Sequence, residues 1–349
     1  MSESVGLPDL GLDIFFQQQL PMDDSQATAP VRIMNVHRSG LQIAGEGIEQ
    51  HIELFGSDYD LHLTVGDWAL FDTATQRVVR RLERKSLFKR RAPGTDRREQ
   101  LIAANVDTLF IVSSCNQEFN EARLERYLAI AREAGVMAVI ILTKADLVDD
   151  YSHYVQRASR LAPALQVEAL NALQAESLEC LDSWLNTGQT IALLGSSGVG
   201  KSTLTNTLLG LQEISTRAIR EDDAKGRHTT TSRSMHQLPG GAWLLDTPGM
   251  RELQLTDVKT GLDDVFAEIS ALANHCRFSD CEHIDEPGCR IKQAIEAGDI
   301  DQTRLDRWRK LAREEKFNSA SIAERRASDK AFGKMCKSII SDKQSRRNT

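Results

Sequence analysis

Between Val31 and Arg91, apolar and polar residues alternate in short runs, VRIMNV, GLQIAG, QHIELFG, LHLTVGDWALFD and RVVRRL, broken by glycines and Asp/Ser clusters. Alternation at this length marks half-buried strands, and the spacing of the breaks predicts a small five-stranded barrel of the oligonucleotide-binding type over residues 30–92. After Asp107 the pattern changes. DTLFIVSS and MAVIILT are unbroken apolar runs, as expected of parallel strands covered on both faces. Between them, EARLERYLAIAREAG places Leu124, Tyr127, Leu128 and Ala131 on one helical face, with Gly135 to close the helix. Two further strand runs, TIALL and AWLLD, flank the helical KSTLTNTLLG. The expected fold class is therefore multidomain α/β, with a mostly parallel sheet and helices on both its faces across residues 99–255. Residues 256–349 turn helical and polar, interrupted by HCRFSDCEHIDEPGC and ending in a basic tail. Residues 1–29 show no period and close on MDDSQATAP, which predicts a mobile leader; KRRAPGTDRRE predicts a linker between barrel and sheet.

Composition narrows the class. With 27% charged and 41% hydrophobic residues the chain has the make-up of a globular protein, and its 349 residues suffice for two or three cores. No run reaches the roughly 18 apolar residues of a membrane span, and the N-terminus lacks the basic and apolar regions of a signal peptide, so the expected location is the cytoplasm, with no membrane partner. The net charge of −7 is unevenly spread: residues 77–98 carry +8, residues 303–349 another +8, and the remainder −23. Two basic segments on an acidic body point to a polyanionic partner. Nothing requires more than a monomer.

The chemistry begins at GSSGVGKST, where Gly195, Gly200, Lys201 and Ser202 satisfy the phosphate-loop pattern. Glycines let Gly195, Ser196, Ser197, Gly198, Val199 and Gly200 curl their N–H groups toward phosphate oxygens, and the helix opening at Lys201, Ser202 and Thr203 directs its positive end there. Lys201 neutralises β and γ charge; Ser202 is suited to Mg²⁺. Downstream, LLDTPG places Asp246 at a strand end for Mg²⁺ and Gly249 for an N–H to the γ-phosphate. Upstream, ILTKAD ends a strand with Thr143, Lys144, Ala145 and Asp146. The Asp146 carboxylate can accept both the N1–H and the amine of guanine, a donor pair adenine lacks, while the Lys144 stem lies along the purine. GTP is thus favoured over ATP. The base-reading motif precedes the phosphate motifs, the reverse of small GTPases, so residues 107–186 read as the back half of a GTPase domain placed before its front half.

These motifs in this order, with QLIAANVDTLFIV, KGRHTTTSR and a Cys/His cluster, closely resemble the RsgA or YjeQ family of ribosome small-subunit-dependent GTPases, over nearly the whole chain from about residue 30. The resemblance implies an N-terminal oligonucleotide-binding barrel, a circularly permuted GTPase domain and a C-terminal zinc domain. It also implies GTP hydrolysis to GDP and phosphate stimulated by the small subunit during late maturation, with that subunit and its rRNA as partners. By motif match Thr143 to Asp146 hold guanine, Gly195 to Thr203 the phosphates, and one of Thr229, Thr230 and Thr231 reaches Mg²⁺; Thr230 is the central choice. The family's guanine-supporting loop often carries Ser-Ala, and VEALNA places Glu168 in the serine position. Two alternatives are a GTP-gated RNA-binding factor whose hydrolysis is incidental and a diverged paralogue with another ribosomal role.

Met250 stands where many GTPases use a glutamine to orient water, so the isolated chain is expected to hydrolyse slowly. His228 in GRHTTT is the nearest group able to position that water, a role the family motif also suggests. Cys276, Cys281, His283 and Cys289 supply three thiolates and an imidazole, a complete tetrahedral set for one structural Zn²⁺ with no open catalytic position. A loop-rich segment with little apolar sequence needs such a clamp.

Overall fold

The computed structural model describes residues 5–21, 28–37, 39–91, 99–210, 233–246, 250, 253 and 255–319. The alternating runs form five strands: β1 Thr28–Val36, β2 Gly40–Gly45, β3 Ile48–Glu53, β4 Trp68–Asp72 and β5 Arg77–Arg81. β1 pairs antiparallel with both β2 and β4, β3 adds to β2, and β5 adds to β4. This order, 5-4-1-2-3, curls every second residue inward. Val31, Ile33, Leu41, Ile43, Ala69, Phe71 and Val78 meet in one buried cluster, which is why alternation predicted the strands.

Two expectations are corrected at the ends of this barrel. Residues 92–98 lie outside the described set, but the stretches flanking them are no linker: β6 Leu87–Arg91 and β7 Glu99–Ala104 pair antiparallel as a two-stranded ribbon. The expected mobile leader is packed over residues 5–21. Leu10, Leu12 and Phe16 are buried, Phe16 lies 5.9 Å from the Trp68 ring, and Asp13 caps the short helix α1 Ile14–Gln17. Three apolar side chains without helical or strand period leave no pattern to read, yet each buries enough surface to contribute about 2 kcal/mol.

The α/β part follows the apolar runs. Strands β8 Thr108–Ser114, β9 Met137–Thr143, β10 Gln166–Ala169, β11 Thr190–Leu194 and β13 Trp243–Asp246 are parallel in the order β10-β9-β8-β11-β13, and β12 Arg233–Gln237 joins β13 antiparallel. β8 is buried at all seven positions, as its unbroken apolar run requires. Helices α2 Glu121–Glu133, α3 Ser152–Ser159 and α4 Lys201–Leu208 connect the strands. α2 buries Leu124, Leu128 and Ala131 and ends at Gly135, whose φ of 73° allows Val136 N–H to bond Ala131 O.

β12 also pairs with barrel strand β1, Ser234 opposite Asn35 and Arg233 opposite Val36, so barrel and α/β sheet are one continuous ladder. Arg32 of β1 reinforces this junction. Its guanidinium donates to Leu10 O, to Thr190 Oγ1 of β11 at 2.7 Å and to Asn105 O at 3.4 Å, and it lies 5.8 Å from the Trp68 ring centroid. Burial pulls Arg32 down to about 10, against the attraction of Asp107, Asp13 and Asp67. Replacing it with Ala strands these acceptors and acids, and is expected to cost about 3–5 kcal/mol in urea unfolding, with Arg32→Met costing less because it retains the packing.

The described residues fall into two compact units, one comprising those up to residue 253 together with 260–267, the other comprising 254–259 and 268–319. Helices α5 Lys259–Val265, α6 Ala267–Ala273, α7 Arg290–Ala297 and α8 Gln302–Ser319 account for the regular structure after residue 255. The basic tail, 320–349, lies outside the described residues. Among those described, no helix is long and apolar enough to cross a membrane.

Candidate functional site

Strands β8 and β11 are neighbours, but the chain leaves β8 toward β9 on one side and β11 toward β13 on the other. A crevice opens at the carboxyl ends of such a pair, and the phosphate loop fills this one. Gly195 passes so close to β8 that an added Cβ would sit 2.3 Å from Val112 O; no other residue fits without moving the strand. Gly198 and Gly200, with φ of 81° and 95°, make the curl and start α4. Lys201 is buried, its Nζ donating to Gly195 O at 2.7 Å and to Ser196 O. Ser202 and Thr203 follow in the first turn of α4.

The segment Thr143 to Asp146 meets this loop across the neighbouring strands. Thr143, buried at the end of β9, approaches Val199 O at 2.5 Å and Ser113 O at 3.1 Å through its Oγ1. Lys144 adopts a left-handed conformation, φ 61°, and its Nζ donates to Gly198 O at 2.8 Å. Ala145 is buried under Leu170 O, which accepts its N–H at 3.4 Å, and Asp146 in the following single turn is exposed and open to a ligand. Segments more than fifty residues apart are therefore joined by hydrogen bonds.

In the second unit Cys276, Cys281, His283 and Cys289 bring their ligand atoms within 4.8 Å of one another. His283 Nδ1 is 3.6 Å from Cys276 Sγ and 3.5 Å from Cys289 Sγ. Bond lengths of about 2.3 Å to sulfur and 2.0–2.1 Å to nitrogen in a tetrahedron place S and N about 3.6 Å apart, so the spacing fits Zn²⁺. Backbone N–H groups of Arg290 and Lys292 point to Cys276 Sγ and Cys289 Sγ at 3.4 and 3.5 Å, as thiolates require. Desolvation pushes the Cys281 thiol up, a hydrogen bond from the His283 backbone opposes it and the adjacent thiols add to it, while a bound cation would favour the thiolate.

A sequence model of the RsgA GTPase family matches residues 81–256. Small ribosomal subunit biogenesis GTPase RsgA 2 of Vibrio parahaemolyticus is 51% identical over all of this chain and 97% of its own length. The chain belongs to the RsgA GTPase family. The RsgA protein of Mesorhizobium japonicum is 50% identical, covering 91% of this chain and 92% of that one. Two solved structures share the fold: YjeQ from Thermotoga maritima has a TM-score of 0.60 at 23% identity over 81% of this chain and 97% of its own. YloQ, described as a circularly permuted GTPase, has 0.58 at 21% identity over 86% and 100%.

Membership in the RsgA family makes the chain a GTPase whose nucleotide is GTP and GDP, and circular permutation accounts for the order in which β9 precedes the phosphate loop. Asp246 ends β13 one residue past the Leu245–Ala192 pair with β11; its side chain, like His228, Thr229, Thr230, Thr231 and Gly249, lies outside the described residues. Met250 is buried. Glu168 is corrected: it sits inside β10 opposite Ile141, half-buried and with its carboxyl raised by desolvation, not in the loop beyond the strand. The residues at loop level are Asn171 and Ala172, with Ala172 O accepting Thr207 Oγ1 from α4 at 2.7 Å. An Asn-Ala pair, three residues later, thus occupies the loop where VEALNA was read as placing Glu168. Arg123, whose guanidinium reaches Ser196, escaped sequence reasoning altogether.

Proposed function

We propose that this chain is a GTPase of small-ribosomal-subunit maturation, whose hydrolysis is stimulated by the subunit and coupled to release from it. The observation that supports this reading is the joining of Thr143 and Lys144 to Val199 and Gly198, which is what a guanine-selective carboxylate at Asp146 and a phosphate loop acting on one ligand would require. Relatives about half identical to it over 97% and 92% of their own length bear the name small ribosomal subunit biogenesis GTPase.

In this reading Asp146 accepts guanine's N–H pair and Lys144 covers the ring. Loop N–H groups from Ser196 to Thr203 and the Lys201 ammonium hold the phosphates, and Ser202, Thr230 and Asp246 are the residues for Mg²⁺, which would neutralise charge on the β- and γ-phosphates. Gly249 donates to the γ-phosphate. Met250 has no group to orient water, so the unstimulated rate is low and His228 supplies that function once the subunit is engaged. Ribosomal RNA is the polyanion: Lys89 and Arg90 on the β6–β7 ribbon and Arg77, Arg80 and Arg81 on β5 form the basic run before residue 92. One Zn²⁺ on Cys276, Cys281, His283 and Cys289 staples the C-terminal unit. The chain acts in the cytoplasm as a monomer.

Turnover measured with and without purified small subunits tests this. Stimulation of at least 10-fold is expected, lost in His228→Ala while GDP affinity stays unchanged. Equal rates with and without subunits would leave a nucleotide-gated binding factor with incidental hydrolysis.

A further inference from the structure

The phosphate loop is gripped at two places by residues that precede it in the chain. Thr143 and Lys144 hold its later part, at Val199 and Gly198. Its beginning is held by a different side chain: Arg123 Nη1 donates to Ser196 Oγ at 2.6 Å. Arg123 lies in the first turn of α2, where Asn120 Oδ1 accepts its backbone N–H at 3.0 Å. Its Nη1 is also 3.3 Å from Glu118 Oε2, and Glu118 N–H is fixed on Asn116 Oδ1 at 2.9 Å. A helix cap, an acid and the loop hydroxyl thus locate one guanidinium. The Glu118 pair is solvent-exposed and contributes little by itself. The bond to Ser196 is partly buried and ends on the loop.

Which end of the ligand lies there follows from Lys201. Its ammonium, the charge meant for the β- and γ-phosphates, rests on the carbonyls of Gly195 and Ser196. The base-reading residues occupy the opposite end. Resting on the reading of this loop as a GTP site, we propose that Arg123 is a positioning residue for the γ-phosphate. By holding the Ser196 side chain it fixes the peptide that seats Lys201, and it places a second cation beside the end where GTP carries a phosphate that GDP lacks. Arg123 therefore sets the preference of the site for triphosphate over diphosphate.

The test titrates the full chain, wild type, Arg123→Ala, Arg123→Lys, Ser196→Ala and the double alanine variant, with fluorescent GDP and a fluorescent nonhydrolysable GTP analogue. Arg123→Ala is expected to weaken the triphosphate about 10-fold, the scale of one charge-assisted hydrogen bond, and the diphosphate less than about 2-fold. Lysine at 123 should recover part of the loss. Ser196→Ala should reproduce it, and the double variant should be no worse than Arg123→Ala alone. Equal loss of both nucleotides, with a lowered thermal midpoint, would reduce Arg123 to a structural role and overturn the inference, as would an unchanged preference or additive single effects. Failure of the wild type to bind either guanine nucleotide would instead bring down the reading of the site, and the inference with it.

Discussion

Cys289→Ser is expected to empty the C-terminal metal site, dropping zinc from one per chain to well below half by atomic emission, and to unfold the unit built around it. Serine can still cap α7, because the side chain at 289 accepts Lys292 N–H, so the substitution separates capping from ligation. What is lost is one of four ligands at a site of a kind whose apparent zinc binding free energy is about 10–16 kcal/mol. Few apolar side chains anchor the segment from Cys276 to Cys289, where Phe278 and Ile284 point to solvent and most of the other supports are polar, such as Arg309 on the Glu282 and His283 carbonyls. The same variant should bind GDP within about 2-fold of wild type, since the nucleotide residues belong to the other unit. Retained zinc in Cys289→Ser would exclude the thiol as a ligand.

The second large effect is a change of nucleotide. Asp146→Asn replaces the carboxylate proposed to accept two guanine N–H bonds with an amide that would present its own donor to the guanine amine. Affinity for GTP should fall roughly 100-fold or more, about 3 kcal/mol. Xanthosine triphosphate carries a carbonyl where guanine carries the amine, so the same variant should bind it better than it binds GTP. Competition titrations against fluorescent GDP read both arms. Unaltered selectivity would place base recognition elsewhere than Asp146.

Much of this site was legible because its residues are constrained by backbone geometry. Gly195, Gly198 and Gly200 are where they are because a Cβ would strike Val112 or because φ is positive, and such demands leave a fixed spacing in the chain. The parallel strands were legible for a related reason: a strand covered on both faces must be apolar throughout, as β8 is. What escaped had no periodic signature. Leu10 and Phe16 pack singly, from a turn and a four-residue helix. The β6–β7 ribbon is basic and surrounds Pro93 and Gly94, so its composition imitates a linker. Glu168 was misplaced because the end of β10 depends on its register with β9, which only pairing reveals. Arg123 lies on the polar side of α2, where charge predicts solvent, and its partner is seventy-three residues away.

The pairing of Ser234 with Asn35 and of Arg233 with Val36 has a mechanical consequence. Two bodies joined by a tether can tumble while each ignores the other; two that share a ladder cannot. A torque applied to the barrel has a hydrogen-bonded path across β12 to β13, the strand that ends in Asp246. If the barrel is the RNA-docking element proposed above, this shared ladder is the route by which docking would reach the nucleotide strand.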